Sequence, residues 1–120
     1  MSYDIDLIAP DCPTCGHSKG RESTDPTYNL GAIFVLAFEE VAPEAGEGPY
    51  GVHWLSGKTG AQTLPALVRA LERLEDPMLR QELLKREPSN RWGDLPGAHS
   101  VIQRLKRWAA ENPTWVWSVT

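Results

Sequence analysis

From residue 30 to residue 38 the chain is apolar at every position except Gly31 and carries no charge. A segment of that kind has no face to offer water, so any fold must place it inside and build the other elements around it. Its periodicity does not separate a buried helix from a buried strand. Length, counted over residues 29–41, favours a helix with Asn29 as N-cap, whereas Gly31 and the β-branched Ile33 and Val35 favour a strand. A helix is expected.

The rest of the chain supplies what must surround it. With 120 residues, 41% hydrophobic and 23% charged, the composition is that of one soluble domain large enough to bury a core without a cofactor. Residues 3–7 alternate apolar and acidic side chains, the period of a half-buried strand. Residues 11–26, rich in Pro, Gly, Ser, Thr and Asp, read as a loop. So do residues 42–51, with two prolines and three glycines. His53-Trp54-Leu55 forms a short element. Leu64, Leu67, Val68, Leu71 and Leu74 then mark an amphipathic helix. Pro65 fits only its first turn, so Thr63 is the expected N-cap.

Asp76-Pro77 is expected to start a second helix, burying Leu79, Leu83 and Leu84 and stopping before Pro88. Asp94 is expected to cap a third, with Ala98, Val101, Ile102, Leu105, Trp108 and Ala109 on its apolar stripe and Asn112-Pro113 at its end. Residues 114–120 alternate again, with Trp115, Trp117 and Val119 on one face. Two lone strands need a partner for their backbone groups. The expected fold is therefore a single α+β domain over residues 1–120, a small antiparallel sheet pairing the N- and C-terminal strands and packed against about four helices.

The net charge of −4 conceals an asymmetry: residues 1–50 carry −7 and residues 51–120 carry +3. The basic half reads mainly as solvated helix surface in which Arg and Lys alternate with acids. A nucleic-acid footprint centred on Arg104, Lys106 and Arg107 ranks below that. No apolar run approaches the ~18 residues of a membrane span. The opening MSYDIDLIAP lacks the basic and apolar regions of a signal peptide. A cytoplasmic protein with no membrane partner and reduced thiols is expected.

Both cysteines fall in Cys12-Pro13-Thr14-Cys15-Gly16-His17. Two thiolates at this spacing reach one Zn²⁺, and the following glycine permits the turn of a zinc knuckle. A structural site needs four ligands. His17 is the nearest third candidate, with His53, His99, Asp11 and Asp25 beyond it, and two inert surface thiols are the alternative. Redox chemistry is disfavoured, since Gly-His-Ser-Lys-Gly cannot supply the helix that lowers a catalytic cysteine's pKa. Gly57-Lys58-Thr59 resembles the end of a phosphate-binding loop, but Gly51 and Gly57 enclose five residues where that loop has four. What survives is a glycine-flanked lysine before a helix, able to hold an anion, against the simpler reading of a turn with a solvated lysine. Trp92, in a polar loop, could stack on a partner or plug a gap between helices. Glu39-Glu40 and Asp4/Asp6 read as solvated faces, and no arrangement of Ser, His, Asp or Cys specifies catalysis.

Taken together, Thr27-Tyr28-Asn29, Gly57-Lys58-Thr59-Gly60-Ala61 leading to Pro65, Trp92-Gly93 and the closing Asn112-Pro113 resemble a family of small phage, prophage and bacterial proteins, one branch of which carries a CPxCG knuckle. The resemblance spans residues 1–120 and brings no activity with it. It implies a cytoplasmic accessory protein in the host cell that binds a host protein or a small anionic, nucleotide-like ligand, as in counteracting host defence. It singles out Tyr28, Asn29, Lys58 and Trp92 as ligand-binding positions and makes a zinc on Cys12, Cys15 and His17 structural. Two further classes remain: a zinc-knuckle nucleic-acid-binding regulator, and a small zinc hydrolase with an open coordination position.

Overall fold

The computed structural model describes residues 2–10, 20–39, 51–87 and 93–120. Strand β1 (Ile5–Ile8) lies between β2 (Arg21–Thr24) and β3 (Val116–Val119) in a three-stranded antiparallel sheet. The two terminal strands pair as expected, with Ile5 opposite Val119 and Leu7 opposite Trp117. Side chains alternate across a strand, so this register gathers Ile5, Leu7, Trp117 and Val119 on one face, where all four are buried. Asp6, Ile8, Arg21, Ser23, Val116 and Ser118 share the other face.

β2 corrects the loop expected over residues 11–26. Arg-Glu-Ser-Thr has no apolar alternation to announce a strand, because even its inward residues, Glu22 and Thr24, are polar and only half-buried. The pairing comes from β1, whose backbone groups on that side need partners.

Helix α1 (Gly31–Phe38) follows a 3₁₀ turn, Tyr28–Leu30. It buries Ile33, Phe34, Leu36, Ala37 and Phe38, as a segment without a polar face must. The ring of Tyr3 meets Phe34 edge-on at 6.0 Å. A second 3₁₀ turn, Gly51–Leu55, comes so close that a Cβ on Gly51 would lie 2.9 Å from the Val35 nitrogen. Asn29 is not the N-cap: that position is Leu30, without a side-chain bond. At the other end, Arg73 donates from Nε and Nη2 to the Leu36 carbonyl, at 3.2 and 3.0 Å, giving a partner to a carbonyl in the last turn of the helix.

Helix α2 (Gly60–Glu75) begins earlier than the Thr63 cap expected for it. Thr59 is the N-cap, its hydroxyl accepting from the Gln62 amide while the Gln62 side chain accepts from the Thr59 amide. Pro65 consequently sits inside the helix. Pro65 and Ala61 are both exposed, so the carbonyl deprived of its amide partner faces solvent, which lowers the cost. Asp76-Pro77 forms a turn, with Asp76 Oδ1 accepting from the Met78 amide at 2.8 Å, and α3 (Arg80–Lys85) starts after it. Leu83 is buried and Leu79 half-buried, whereas Leu84 is 42% exposed, against the expectation that it joins the core.

Helix α4 (Leu95–Glu111) matches its expected cap and stripe. Asp94 Oδ1 accepts from the Gly97 amide at 2.8 Å, and Glu87 Oε2 accepts from the Leu95 amide at 2.8 Å. α2 and α4 run antiparallel. Gly60 faces Ala109 and Asn112 at one end, and Glu75 meets His99 at the other. Among the described residues, no helix is long and apolar enough to cross a membrane.

Candidate functional site

The turn before α1 is fixed from both sides of the sequence. Ser2 and Thr27 form a β-bridge, the Tyr3 amide donates to the Pro26 carbonyl, and the Leu30 amide donates to the Thr27 carbonyl at 3.1 Å. Thr27 Oγ1 accepts from the Asn29 amide and from Asn29 Nδ2 at 3.0 Å, so the asparagine expected to cap α1 closes the turn instead. Gly93 packs onto the same turn. A Cβ there would lie 2.8 Å from Leu30 Cδ2 and 3.3 Å from Thr27 Cγ2, and its φ of +133° suits glycine alone. Thr27 and Asn29 of one motif and Gly93 of the other, far apart in sequence, therefore meet at the start of α1. The side chain of Tyr28 and the whole of Trp92 lie outside the described residues.

Lys58 belongs to the other end of that helix. Its Nζ donates to the Trp54 carbonyl at 2.7 Å and sits 4.6 Å from the centre of the Trp54 ring, a cation–π contact. Trp54 in turn packs on Phe38, the last residue of α1. Across eight residues α1 rises roughly 12 Å, so Asn29 and Lys58 sit at opposite ends of it. Lys58 is half-buried rather than solvated.

The Gly57–Ala61 segment is occupied as a structural splice. The Gly57 amide donates to the Trp117 carbonyl and the Trp117 amide to the Lys58 carbonyl, both at 2.9 Å. The Gly60 and Ala61 amides, which would otherwise point outward from the start of α2, donate to the carbonyls of Trp115 and Pro113. Those of Gln62 and Thr63 go to the Thr59 hydroxyl and carbonyl. All four amides that a helix start could aim at an anion thus have partners within the chain.

Cys12, Cys15 and His17, with Asp11, lie outside the described residues, as do Glu40 and the loop of residues 42–50. The more distant ligand candidates are apart: His53 stands edge-on to the Tyr3 ring at 5.4 Å, while His99 Nε2 is 2.7 Å from Glu75 Oε1 between α4 and α2. Among the described residues, no group of three or more His, Cys, Asp or Glu side chains could hold a metal ion. Beside His99 runs a groove of about 400 Å³ lined by Leu74, Glu75, Arg80, Leu84, Pro96 and Leu95. This groove is not legible in the sequence, which places Leu84 in the core with Leu79 and Leu83.

Asp6 also departs from expectation. Read as part of a solvated face, its side chain is only 15% exposed and accepts from Arg21 Nη2 at 3.0 Å and from the Ser23 hydroxyl across the sheet. Burial pushes its pKa up, but the two hydrogen bonds and the Arg21 charge together outweigh burial and hold it below the ordinary carboxylate range. No protein-family model matches the chain, and comparison with curated proteins and with solved structures gives no significant match.

Proposed function

We propose that this chain is a non-catalytic binding protein of the phage-accessory kind, acting in the host cytoplasm, and that it recognises a host protein through the surface at the start of α1. The meeting of Thr27 and Asn29 with Gly93 carries this reading. Two motifs of the resemblance that are separated in sequence share one end of a helix, with Gly93 seated on Thr27 and Leu30. The partners already taken by Lys58 Nζ and by the first amides of α2 favour a protein over a small anionic ligand. A zinc on Cys12 and Cys15 belongs to the same proposal as a staple of the early loop, read by elemental analysis of the purified protein.

The test compares the wild-type protein with Asn29→Ala, Trp92→Ala and Lys58→Ala in affinity capture from host lysate. Equilibrium dialysis against nucleotides runs alongside. A host protein retained by wild type and Lys58→Ala, and lost from folded Asn29→Ala and Trp92→Ala, supports the proposal. Nucleotide binding that disappears with Lys58→Ala overturns it, as does capture indifferent to Asn29 and Trp92.

A further inference from the structure

Helix α4 holds three cations, Arg104, Lys106 and Arg107, and no acid between Asp94 and Glu111, in a chain whose net charge is −4. The alternation of bases with acids expected of the basic half therefore fails on this element. None of the ion pairs among the described residues involves these three. Arg104 Nη1 donates to Thr24 Oγ1 at 2.9 Å, which ties the helix to the edge strand β2 and holds the guanidinium in place. A groove of about 470 Å³ follows this side of the helix, lined by Ser100, Gln103, Arg104, Lys106 and Arg107. Ser100, Gln103, Arg104 and Arg107 recur at helical spacing, so they share the face opposite the buried Val101, Ile102, Leu105 and Trp108.

The composition of this face selects its occupant. Arginine, lysine, serine and glutamine are the side chains that contact phosphate and sugar oxygens in nucleic-acid complexes, where they fix position without reading sequence. Among the described residues that line it, cations are interleaved with neutral hydrogen-bonding groups and no carboxylate, which matches a chain of evenly spaced phosphates. We infer that the Ser100–Arg107 face of α4 is a phosphodiester-binding groove that takes the backbone of a nucleic acid without sequence preference. It is separate from the surface at the start of α1 and does not depend on it.

The prediction is quantitative in salt. Three neutralised phosphates give a log–log slope of roughly −2 for a single strand and nearly −3 for a duplex, so affinity falls roughly 20- to 40-fold as salt rises fourfold. The experiment is fluorescence anisotropy of a labelled random-sequence oligonucleotide, single-stranded and duplex, titrated with the full chain at several salt concentrations. Polyglutamate serves as competitor. The variants are Lys106→Glu/Arg107→Glu and the milder Lys106→Gln/Arg107→Gln, each checked by its melting curve.

Binding with that slope, with either variant weakening it more than tenfold and flattening the slope by about two phosphate contacts, is the expected result. The Gln pair is read if the Glu pair melts lower than wild type. No binding of folded protein at low salt, equal binding by wild type and the Gln pair, or displacement by polyglutamate as effective as by unlabelled oligonucleotide overturns the inference. The last outcome assigns the face to an acidic protein. Asn29→Ala and Trp92→Ala leave oligonucleotide binding unchanged, so failure here and failure at the α1 surface are told apart.

Discussion

Trp117 brings its indole N–H into the core at 1% exposure, where Thr63 Oγ1 accepts it at 2.8 Å. The Thr63 hydroxyl can donate in turn to the carbonyl of Thr59 or of Gly60, at 3.0 and 3.1 Å. A polar pair that deep is tolerated because the hydroxyl accepts from the indole and donates to a backbone carbonyl, so both donors are satisfied. Thr63→Val keeps the shape and strands the indole N–H. It is expected to cost about 1–3 kcal/mol in chemical denaturation, with Thr63→Ser losing less. Asp6 behaves oppositely in kind, since its effect is read in pH. Its folded pKa is lowered, so the unfolded chain binds the proton more readily, and the ion pair's contribution is present above the ordinary carboxylate pKa. That contribution disappears as pH falls through the folded value. Asp6→Asn should flatten the acid side of the stability profile measured by thermal melting, while leaving the neutral side lowered throughout. Neither role was legible from the sequence. Thr63 had the right chemistry for a cap and Asp6 for a wet strand face, and each was claimed by a residue distant in the chain.

Helices announced themselves better than strands did. The stripe from Ala98 to Ala109 and the Asp94 cap depend on neighbours within one or two turns, so the residues that make α4 are all in view along the chain. α2 was equally clear in its stripe and misplaced at its start, because Pro65 suggested a first turn that the Thr59–Gln62 box sets earlier. Gly60 shows why the box can sit there. A Cβ at that position would lie 2.6 Å from the Asn112 carbonyl oxygen and 2.8 Å from that of Ala109, so glycine is what lets α2 approach the end of α4. Gly60→Ala is expected to cost roughly 1–3 kcal/mol by forcing the helices apart, read as a lower denaturation midpoint. At Gly57, whose φ is +85° with open space around it, the same substitution acts through backbone strain instead.

Across the whole molecule, the sheet joins segments from the two ends of the sequence. Asp4 and Thr120 exchange both backbone hydrogen bonds at 2.9 Å, and β3 also receives the Gly57–Gly60 segment on its far side. Deleting residues 116–120 removes Trp117 and Val119 from the core and strips β1 of one partner. The expected outcome is loss of the cooperative thermal transition, checked by near-ultraviolet circular dichroism. Taken alone, the sequence established the apolar stripes of α2 and α4, that most of residues 30–38 lie inside, and that the terminal strands pair. Burial stripes, and a cap such as Asp94, are local, written within a few residues of where they act. Only the tertiary structure decided that Arg-Glu-Ser-Thr is a strand, that Lys58 turns back onto Trp54, and that the Asn29 and Gly93 motifs meet. Those outcomes depend on backbone groups and surfaces contributed by distant segments, whose proximity no local period encodes.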